Sequence, residues 1–442
     1  MSRILIVSND RIGSKMAGPG MRYFNFAREL ARHGDVTLVV PTEPDIELDF
    51  ADVLVAGDLS YKRFLALARR SDTVLAQQLS PSTMRALAGG PAKVVYDLYD
   101  PLLVEVLPLF AGNPDRPLRE RMHRHVIHHQ LLALSTGDAF LCASERQRDL
   151  WLGLLTALGR LDIDAYTADP TLRELIDVVP FGLSADRPVS TQRVLKGVVP
   201  GIAESDSVLL WGGGIWDWFD PVTVIRAVAR VAETRDDVKL FFLGKTHPNP
   251  ATGSMTMPAR ALEVARELGV EGTSVFFNDG WVDHDARASY LLEADIGVSA
   301  HLDSIETRFA FRTRLLDYFW AGLPTLTTSG DVLGDLVAER NLGRVLPAGD
   351  VDAWAAAIPA LLDDEAERRA VAANLVSVRE ELAWPRLAAR VAEIAEAPRV
   401  AGAAATRRSR LTSLWQGGLR SRRGVGQHLM DTLRPLGRPP IP

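Results

Sequence analysis

Short apolar runs alternate with amphipathic stretches along the first part of the chain. The runs are rich in Val, Leu and Ile and lie at residues 4–8, 36–40, 53–56, 74–76, 94–96 and 140–143. Strands of a parallel sheet lose the alternation of apolar and polar residues because helices cover both faces of the sheet. Residues 21–33 and 61–70, between the runs, have the spacing of surface helices. The pattern predicts a doubly wound α/β domain.

A second series of apolar runs begins near residue 208, after a change of pattern at residues 178–182. Its runs lie at 208–211, 240–243, 274–277, 296–299 and 325–327, and helices are predicted at 353–362, 365–381 and 385–395. The chain is therefore predicted to hold two Rossmann-like doubly wound domains, residues 1–183 and 184–382, facing a central cleft. A ligand is expected in that cleft, because such sheets bind ligands at the carboxyl ends of their strands.

The composition is that of a globular chain with sizeable cores. Of 442 residues, 47% are hydrophobic and 24% are charged, which excludes wholesale disorder and low-complexity sequence. No apolar run approaches the roughly 20 residues that a membrane-spanning helix needs. The start of the chain leads directly into a strand, so no signal peptide is expected. Cys142, the single cysteine, cannot form an internal disulfide, and a cytoplasmic location is expected.

The charge of the chain is unevenly distributed. The net charge is −6, which argues against a nucleic-acid partner. From Arg399 to the end, nine arginines face one acid, Asp431, and the basic tail at 401–442 is expected to be flexible. A second basic segment runs from Arg116 to Arg124. Either segment suits a weak contact with the anionic inner face of the cell membrane, and a solvated face that only aids solubility is the equal alternative. The oligomeric state stays open, a homo-oligomer included.

No metal site is expected in the basic segment. His125 and His129 are four residues apart and could share a ligand. Glu120 is the only acid of that helix, however, and no cysteine is near it. A solvated basic face is the better interpretation.

A glycine-rich turn follows the first predicted strand. Gly18 and Gly20 precede the first helix, and Arg22 adds positive charge there. Glycine lets backbone N–H groups approach a ligand closely, and a helix N-terminus favours an anion. The turn is a candidate ligand loop, and an ordinary surface loop is the alternative.

A second glycine cluster follows the first strand of the second domain. Gly213 and Gly214 could let the backbone meet a pyrophosphate at the start of the helix predicted at 220–233. Trp216 could form a wall against a base or sugar ring. The alternative is a tight turn whose tryptophans pack between domains.

Residues 306–324 combine charge with apolar character. With a helix starting near Phe311, its first amides and Arg312 would form an anion site. Asp317, further along, could accept hydrogen bonds from ribose hydroxyls. A solvated charged face remains the alternative for Arg308 and Arg314.

Several of these segments resemble the retaining glycosyltransferases of family 4. Residues 317–324, Asp-Tyr-Phe-Trp-Ala-Gly-Leu-Pro, resemble the family's Glu-Ala-Met-Ala-x-Gly-x-Pro segment. Residues 178–182 resemble its Val-Ile-Pro-Asn-Gly hinge, residues 294–299 its Ala-Asp-Val-x-Val-x-Pro-Ser strand, and residues 384–388 its closing helix. The likeness runs in order over about residues 1 to 397. It implies the GT-B fold, with a helix at 383–400 that crosses back to the first domain.

The sequence departs from the family's two glutamates, which stand eight positions apart. Asp317 takes the place of the second, which holds the donor's ribose, and Phe309 takes the place of the first. The nearest acid is Glu306, three residues before Phe309. Either Glu306 reaches the donor sugar through a reshaped loop, or the contact that the first glutamate makes is absent.

The family's Arg and Lys that neutralise the diphosphate are also missing from residues 213–220. Arg312 and Arg314, or Lys245, could replace them, because guanidinium groups suit bidentate phosphate binding.

The resemblance implies a retaining transfer from a nucleoside-diphosphate sugar, the co-substrate, without cofactor or metal. In such an internal-return reaction the leaving phosphate accepts the acceptor's proton, so the enzyme contributes electrostatics and positioning. Glu306 and Arg312 are the candidates for a catalytic role. The expected donor side comprises Gly213, Gly214, Trp216, Lys245, Glu306, Arg312, Thr313, Arg314 and Asp317. The expected acceptor side comprises Gly18, Gly20, Arg22, Asp97 and Asp100, although turn-forming aspartates before a proline explain the last two equally well.

Two functions follow from these patterns. The first is a glycosyltransferase that acts on a carbohydrate, lipid-linked or small-molecule acceptor. The second is a pseudo-glycosyltransferase or non-catalytic relative that only binds a nucleotide sugar, which the missing first glutamate and the missing Arg/Lys pair would explain. The nucleotide, the sugar, the acceptor and the pathway are not specified by the sequence.

Overall fold

The computed structural model describes residues 2–244, 255–280, 282–283 and 286–399. These residues divide into two compact units, one built from 2–181 and 384–399 and the other from the described residues between 182 and 383. The predicted basic tail at 401–442 and the predicted phosphate ligand Lys245 lie outside the described residues.

A seven-stranded parallel sheet forms the first unit. Its strands are β1 (Ser2–Val7), β2 (Gly34–Val40), β3 (Asp52–Val55), β4 (Thr73–Ala76), β5 (Lys93–Asp97), β6 (Ala139–Cys142) and β7 (Ile176–Val178). The helices are α1 (Gly18–Leu30), α2 (Tyr61–Arg70), α3 (Pro81–Leu87), α4 (Leu102–Ala111), α5 (Arg116–Thr136), α6 (Glu145–Ala157) and α7 (Ile163–Ala168), with a short 3-10 turn at Ala56–Asp58. The strand order is β3-β2-β1-β4-β5-β6-β7, so the chain reverses its direction of winding between β1 and β4.

A six-stranded parallel sheet forms the second unit. Its strands are β8 (Ser207–Trp211), β9 (Val238–Phe242), β10 (Val275–Phe277), β11 (Ile296–Ser299), β12 (Thr325–Thr328) and β13 (Gly343–Leu346). The helices are α8 (Pro221–Ala232), α9 (Met257–Glu267), α10 (Arg287–Glu293), α11 (Ile305–Phe309), α12 (Arg314–Ala321), α13 (Val332–Arg340), α14 (Val351–Asp363) and α15 (Glu365–Glu381). The order β10-β9-β8-β11-β12-β13 places the reversal of winding between β8 and β11.

The predicted fold class, two doubly wound parallel sheets, is confirmed. Every predicted strand is present, and β7 and β13 were missed. Asp177 interrupts the three-residue β7, and the partly exposed edge strand β13 contains Arg344, so neither forms an apolar run. None of the helices in the described ranges is both long and apolar enough to cross a bilayer.

The last described helix, α16 (Trp384–Glu396), belongs to the first unit although it follows the second in sequence. Trp384 contacts Phe26 and Phe181 edge-on, with ring centroids 5.6 and 5.1 Å apart. At the other end, the Lys93 ammonium donates to the carbonyls of Ile394 and Ala397. A cation at a helix C-terminus satisfies the free carbonyls and complements the helix dipole.

Gly297 in β11 allows α12 to pack directly on the second sheet. A Cβ atom at this position would lie 2.3 Å from the ring of Tyr318. The ring cannot move easily, because its hydroxyl accepts from the Gly212 N–H at 2.8 Å and lies 2.8 Å from the Val298 carbonyl oxygen. The sheet and helix therefore approach each other at a distance that only glycine permits.

Gly297→Ala is expected to destabilise the second unit by about 3 kcal/mol, because overpacking a rigid contact shifts backbone and ring together. Gly280→Ala is the matched control, since a Cβ there meets nothing within 4 Å. Urea unfolding of both variants measures the difference. Equal free energies of unfolding would contradict the assigned contact.

Candidate functional site

The candidate site lies at the carboxyl ends of β8 and β11, where the second sheet reverses its winding. The two strands are parallel neighbours. The glycine turn follows β8, and His301 follows β11. Open α/β sheets bind ligands at such a switch point because the connecting loops separate there and leave a crevice.

The glycine turn has the conformation that a ligand-binding loop requires. Gly213 adopts φ +89°, which side-chain-bearing residues rarely adopt, and nothing lies within 4 Å of the place where its Cβ would be. The turn therefore presents backbone toward open space. Asp220 begins α8 just beyond it, since its carboxylate accepts from the Thr223 N–H at 3.0 Å, as predicted for a helix starting there.

Arg314 lies against this turn and forms no direct ion pair with any of the described residues. The residue is 8% exposed, and its guanidinium stacks on Trp211 and Phe219, at 4.4 and 4.2 Å from the ring centroids. Nη2 donates to the Gly214 carbonyl at 2.5 Å. Nε and Nη1 have no hydrogen-bond partner in the described part of the chain. Burial lowers the pKa of Arg314 to about 10.

Arg312 and Glu306, both expected to contact the donor, instead pair with each other. Their side chains are 5% and 4% exposed, and Arg312 Nη1 and Nη2 donate to the two carboxylate oxygens at 3.0 and 2.6 Å. The helix predicted from Phe311 is also wrong: α11 ends at Phe309, and α12 begins at Arg314. Arg312 therefore lies in the connection between two helices, and its guanidinium group contacts the Glu306 carboxylate.

The other predicted donor residues border the first turn of α12. Thr313 directly precedes the helix. Asp317 lies within the first turn, not further along as the sequence indicated, and its carboxylate is 3.2 Å from Arg287 Nη1. With 31% of its side chain exposed, Asp317 remains accessible, and its contact with ribose stays a prediction.

Trp216 stacks on Trp218 beyond the glycine turn. The two indole planes are nearly parallel, at 6°, with centroids 5.4 Å apart. Between them, Asp217 accepts from the Thr256 and Met257 N–H groups, each at 2.8 Å. The intervening carboxylate thus anchors the start of α9.

Sequence reasoning missed a buried histidine in the site. His301 is fully buried, with Nε2 2.7 Å from an oxygen of Asp331. Its Nδ1, like the hydroxyls of Ser299 and Thr327 on the neighbouring strand ends, has no partner within the described ranges. A histidine two residues after a buried strand was the signal that could have identified it. Its pairing with Asp331, thirty residues away, could not be read from the sequence.

On the first unit, the expected exposure of Arg22 and Asp97 to a ligand is corrected. Both side chains are 0% exposed and form a bidentate pair, with N–O distances of 2.6 and 2.9 Å. The guanidinium also donates to the carbonyls of Val179 and Pro180. The two charges neutralise each other inside the unit and are not free to bind a ligand.

Asp100 remains accessible at the same edge. It is partly exposed, and one carboxylate oxygen accepts from Gln77 Nε2 at 3.0 Å. Burial raises the pKa of Asp100 to about 6. Gly18 and Gly20 form the first turn of α1, and a Cβ at Gly20 would lie 2.3 Å from the Arg11 carbonyl oxygen. Close packing of the loop thus explains Gly20, and a ligand role for the turn stays a prediction.

The basic segment forms the first half of α5. Arg121 and Arg124 are exposed, whereas Arg116 pairs with Glu120 at 2.8 Å. His129 contacts the Leu79 carbonyl oxygen, and burial lowers the pKa of His129 to about 4. Across the described ranges, no group of three His, Cys, Asp or Glu side chains is arranged to hold a metal ion.

Comparison with known proteins finds similarity to glycosyltransferases. Residues 207–364 match the family model of the glycosyl transferases group 1. A D-inositol 3-phosphate glycosyltransferase from Thermobispora bispora is 25% identical over 235 residues, which are 52% of this chain and 52% of that protein. The protein of the same name from Corynebacterium kroppenstedtii is 22% identical over 52% of this chain and 49% of its own length. The chain thus spans about half the length of the curated relatives it matches.

Solved structures share the fold over most of the chain. The crystal structure of WaaG, a glycosyltransferase involved in lipopolysaccharide biosynthesis, covers 89% of this chain and 100% of its own at a TM-score of 0.60 and 17% identity. Anabaena HepE in complex with UDP and glucose covers 89% of this chain and 99% of its own at a TM-score of 0.59 and 12% identity. The protein therefore has the GT-B fold, and residues 207–364 of its second unit are similar to the glycosyl transferases group 1.

Proposed function

We propose that the protein is a retaining, metal-independent glycosyltransferase of family 4. It transfers a sugar from a nucleoside-diphosphate sugar to a carbohydrate, lipid-linked or small-molecule acceptor. The switch point of the second sheet holds the donor. A cytoplasmic location is part of the proposal, with exposed Arg121 and Arg124 as contacts to an anionic membrane surface.

The buried guanidinium of Arg314, which forms no direct ion pair among the described residues, carries this proposal. A buried cation without an anionic partner is unfavourable unless a ligand supplies the anion. Two guanidinium nitrogens of Arg314, Nε and Nη1, have no partner among the described residues, and Arg314 lies beside the open glycine turn, at the end of α12 where the helix dipole is positive. A diphosphate would satisfy the guanidinium and the helix end at once. Arg314 then takes the role of the family's missing Arg/Lys pair.

The neighbouring groups fit the remainder of a nucleotide sugar. Asp317 is partly exposed one turn into α12 and can accept hydrogen bonds from ribose hydroxyls. The stacked pair of Trp216 and Trp218 offers an aromatic surface beyond the turn. HepE, which was solved with UDP and glucose, supports a uracil nucleotide as the first donor to try.

In the proposed reaction the bond between the anomeric carbon and the phosphate oxygen breaks, and the acceptor oxygen bonds to that carbon on the same face. The acceptor's proton passes to the leaving phosphate oxygen. The chain contributes a fixed positive charge, Arg314, where negative charge develops, and such preorganised electrostatics is commonly the largest part of catalysis. Glu306 is paired with Arg312 and acts by positioning the connection between α11 and α12.

Thermal unfolding with UDP, GDP, dTDP and ADP, each added alone without metal, tests the donor site. A nucleotide at about 100 times its dissociation constant adds about 2.7 kcal/mol, which raises the transition temperature by several degrees. A selective rise with one nucleotide is expected. Absence of a response to all four would contradict a nucleoside-diphosphate donor. Release of that nucleotide from its sugar conjugate, stimulated by an acceptor, then separates an enzyme from a protein that only binds.

A further inference from the structure

Helix α7 of the first unit carries two apolar side chains that no described residue covers. Ile163 is 82% exposed and Tyr166 is 59% exposed, whereas Ala165 between them is buried. Residues three positions apart lie on the same face of a helix, so the two side chains adjoin at the surface. Adjoining apolar side chains with a polar rim are typical of an interaction surface.

The rim of this α7 surface is acidic. Asp162 and Asp164 flank Ile163 and are exposed, and Asp169 directly follows the helix. Among the described residues, none of these three carboxylates forms an ion pair. Asp162 accepts from the Ala165 N–H at 2.8 Å, and Asp169 accepts from nearby N–H and hydroxyl groups. A matching partner would therefore combine apolar side chains with positive charge.

We propose that residues 407–423 of the same chain dock on the α7 surface. This segment contains six arginines and no acid, and its larger apolar residues lie between the arginines, at Leu411, Leu414, Trp415 and Leu419. The apolar side chains would cover Ile163 and Tyr166, while guanidinium groups pair with the surrounding carboxylates. The contact is independent of the glycosyl transfer proposed above.

The last described residue lies at the amino-terminal edge of the first sheet. Arg399 donates to the carbonyls of Gly90 and Pro91, and its Nε is 3.6 Å from Asp138 Oδ1. Gly90 and Pro91 come shortly before β5, and Asp138 directly precedes β6. The chain that follows Arg399 therefore starts from the amino ends of these two parallel strands.

Helix α7 is joined to the same edge. Asp169 accepts from the Glu174 N–H at 2.9 Å, Glu174 lies two residues before β7, and β7 is the neighbour of β6. Burial lowers the pKa of Lys93 to about 8, and the charges of Glu174 and Arg399 both act on that pKa. Because adjacent strands lie about 4.8 Å apart, the end of α7 is on the order of 15 Å from Arg399.

The connecting residues are long enough for this contact. Arg407 is eight positions after Arg399, and eight extended residues span about 27 Å at most. Residues 400–406 between them carry no charge. A short flexible tether holds a segment at about millimolar local concentration, so that weak individual contacts are sufficient for docking.

Chemical cross-linking of two introduced cysteines measures the contact in the full chain. Thr167→Cys, at an exposed position of α7, is combined with Ser413→Cys in the arginine-rich segment. Cys142 does not compete, because it is buried and burial raises the pKa of its thiol. With a short bismaleimide and dilute protein, we expect this pair to cross-link within one chain.

The matched control pairs Ser413→Cys with His33→Cys. His33 is exposed directly before β2, which lies at the same edge of the sheet and three strands from β5. A segment without a preferred site would reach both positions at similar rates. We expect the Thr167→Cys pair to react at least tenfold faster than the His33→Cys pair.

Two substitutions test the chemistry of the α7 surface in the Thr167→Cys and Ser413→Cys background. Ile163→Ser removes an exposed apolar side chain, and Asp164→Lys reverses an exposed charge. Each is expected to slow the cross-linking at least threefold. An unchanged temperature of unfolding in both variants shows that the first unit is intact.

Equal rates at Thr167 and His33 would overturn the proposal, as would rates that neither substitution changes. Cross-linked dimers in place of cross-linked monomers would assign the α7 surface to the arginine-rich segment of a second copy. Slow cross-linking at both positions, with the protein bound to phosphatidylglycerol vesicles, would assign the arginines to a membrane surface. Either of these last two results also rules out docking within one chain.

Discussion

Arg314→Met is expected to weaken nucleoside-diphosphate binding by roughly 10- to 100-fold, because a hydrogen bond to a charged group contributes about 1.5–3 kcal/mol. Methionine has the length to fill the slot between Trp211 and Phe219. The ligand-free variant should be as stable as the wild type within about 1 kcal/mol, since removing an unpaired buried charge offsets the lost stacking. Arg314→Met should therefore weaken nucleotide binding while leaving the free energy of unfolding nearly unchanged.

Arg312→Met is the matched comparison two residues away. Arg312 is equally buried but is paired with Glu306, so its loss leaves a buried carboxylate without a partner. Removing one member of such a pair costs about 3–5 kcal/mol. Arg312→Met should therefore destabilise the second unit strongly. Exposed Arg308 supplies a neutral reference, and Arg308→Ala should change neither property.

Nucleotide titration by calorimetry and urea unfolding of the three variants measure both quantities. The assignment fails if Arg314→Met binds the nucleotide as the wild type does. A large loss of stability in Arg314→Met with unchanged binding would make Arg314 a structural residue, in the way that Arg312 is.

The sequence was sufficient for the sheets because burial on both faces leaves a continuous apolar run in each central strand. It was insufficient where an element is short and partly polar, as in β7 with Asp177 or β13 with Arg344. The helix start was also misplaced, since the sequence predicted a helix from near Phe311, whereas α11 ends at Phe309 and α12 begins at Arg314. The ion pair between Glu306 and Arg312 spans the connection between these two helices.

The candidate site also contains residues that local sequence could predict and contacts that it could not. The glycine turn and Arg314 were identified because a turn or a cation can be recognised from local sequence. Their partners could not be, since Arg22 meets Asp97 across 75 residues and Arg314 meets Gly214 across 100. Sequence indicates which residues carry charge, whereas the fold decides which charges are cancelled. Of the two arginines predicted to bind the diphosphate, Arg312 is paired with Glu306, which leaves Arg314 as the candidate, and on the predicted acceptor side Arg22 is paired with Asp97.

Arg22→Met is expected to destabilise the first unit by about 3–5 kcal/mol, because it leaves Asp97 buried without its partner. The guanidinium forms two bonds with Asp97 and donates to the Val179 and Pro180 carbonyls, and it stacks over Phe26 at 4.6 Å. Lysine cannot form the two parallel hydrogen bonds to Asp97, so Arg22→Lys should lower the free energy of unfolding nearly as much.

The double variant Arg22→Met with Asp97→Leu tests whether stability is lost through the unpaired charge of Asp97 or through the changed packing. Replacing both members of a buried pair by apolar residues is often neutral, so much of the lost stability should return. Hydrogen exchange locates the effect: amides of β5 should lose protection in Arg22→Met, and those of β8, in the other unit, should not. Equal loss in both strands, or no recovery in the double variant, would contradict the assignment.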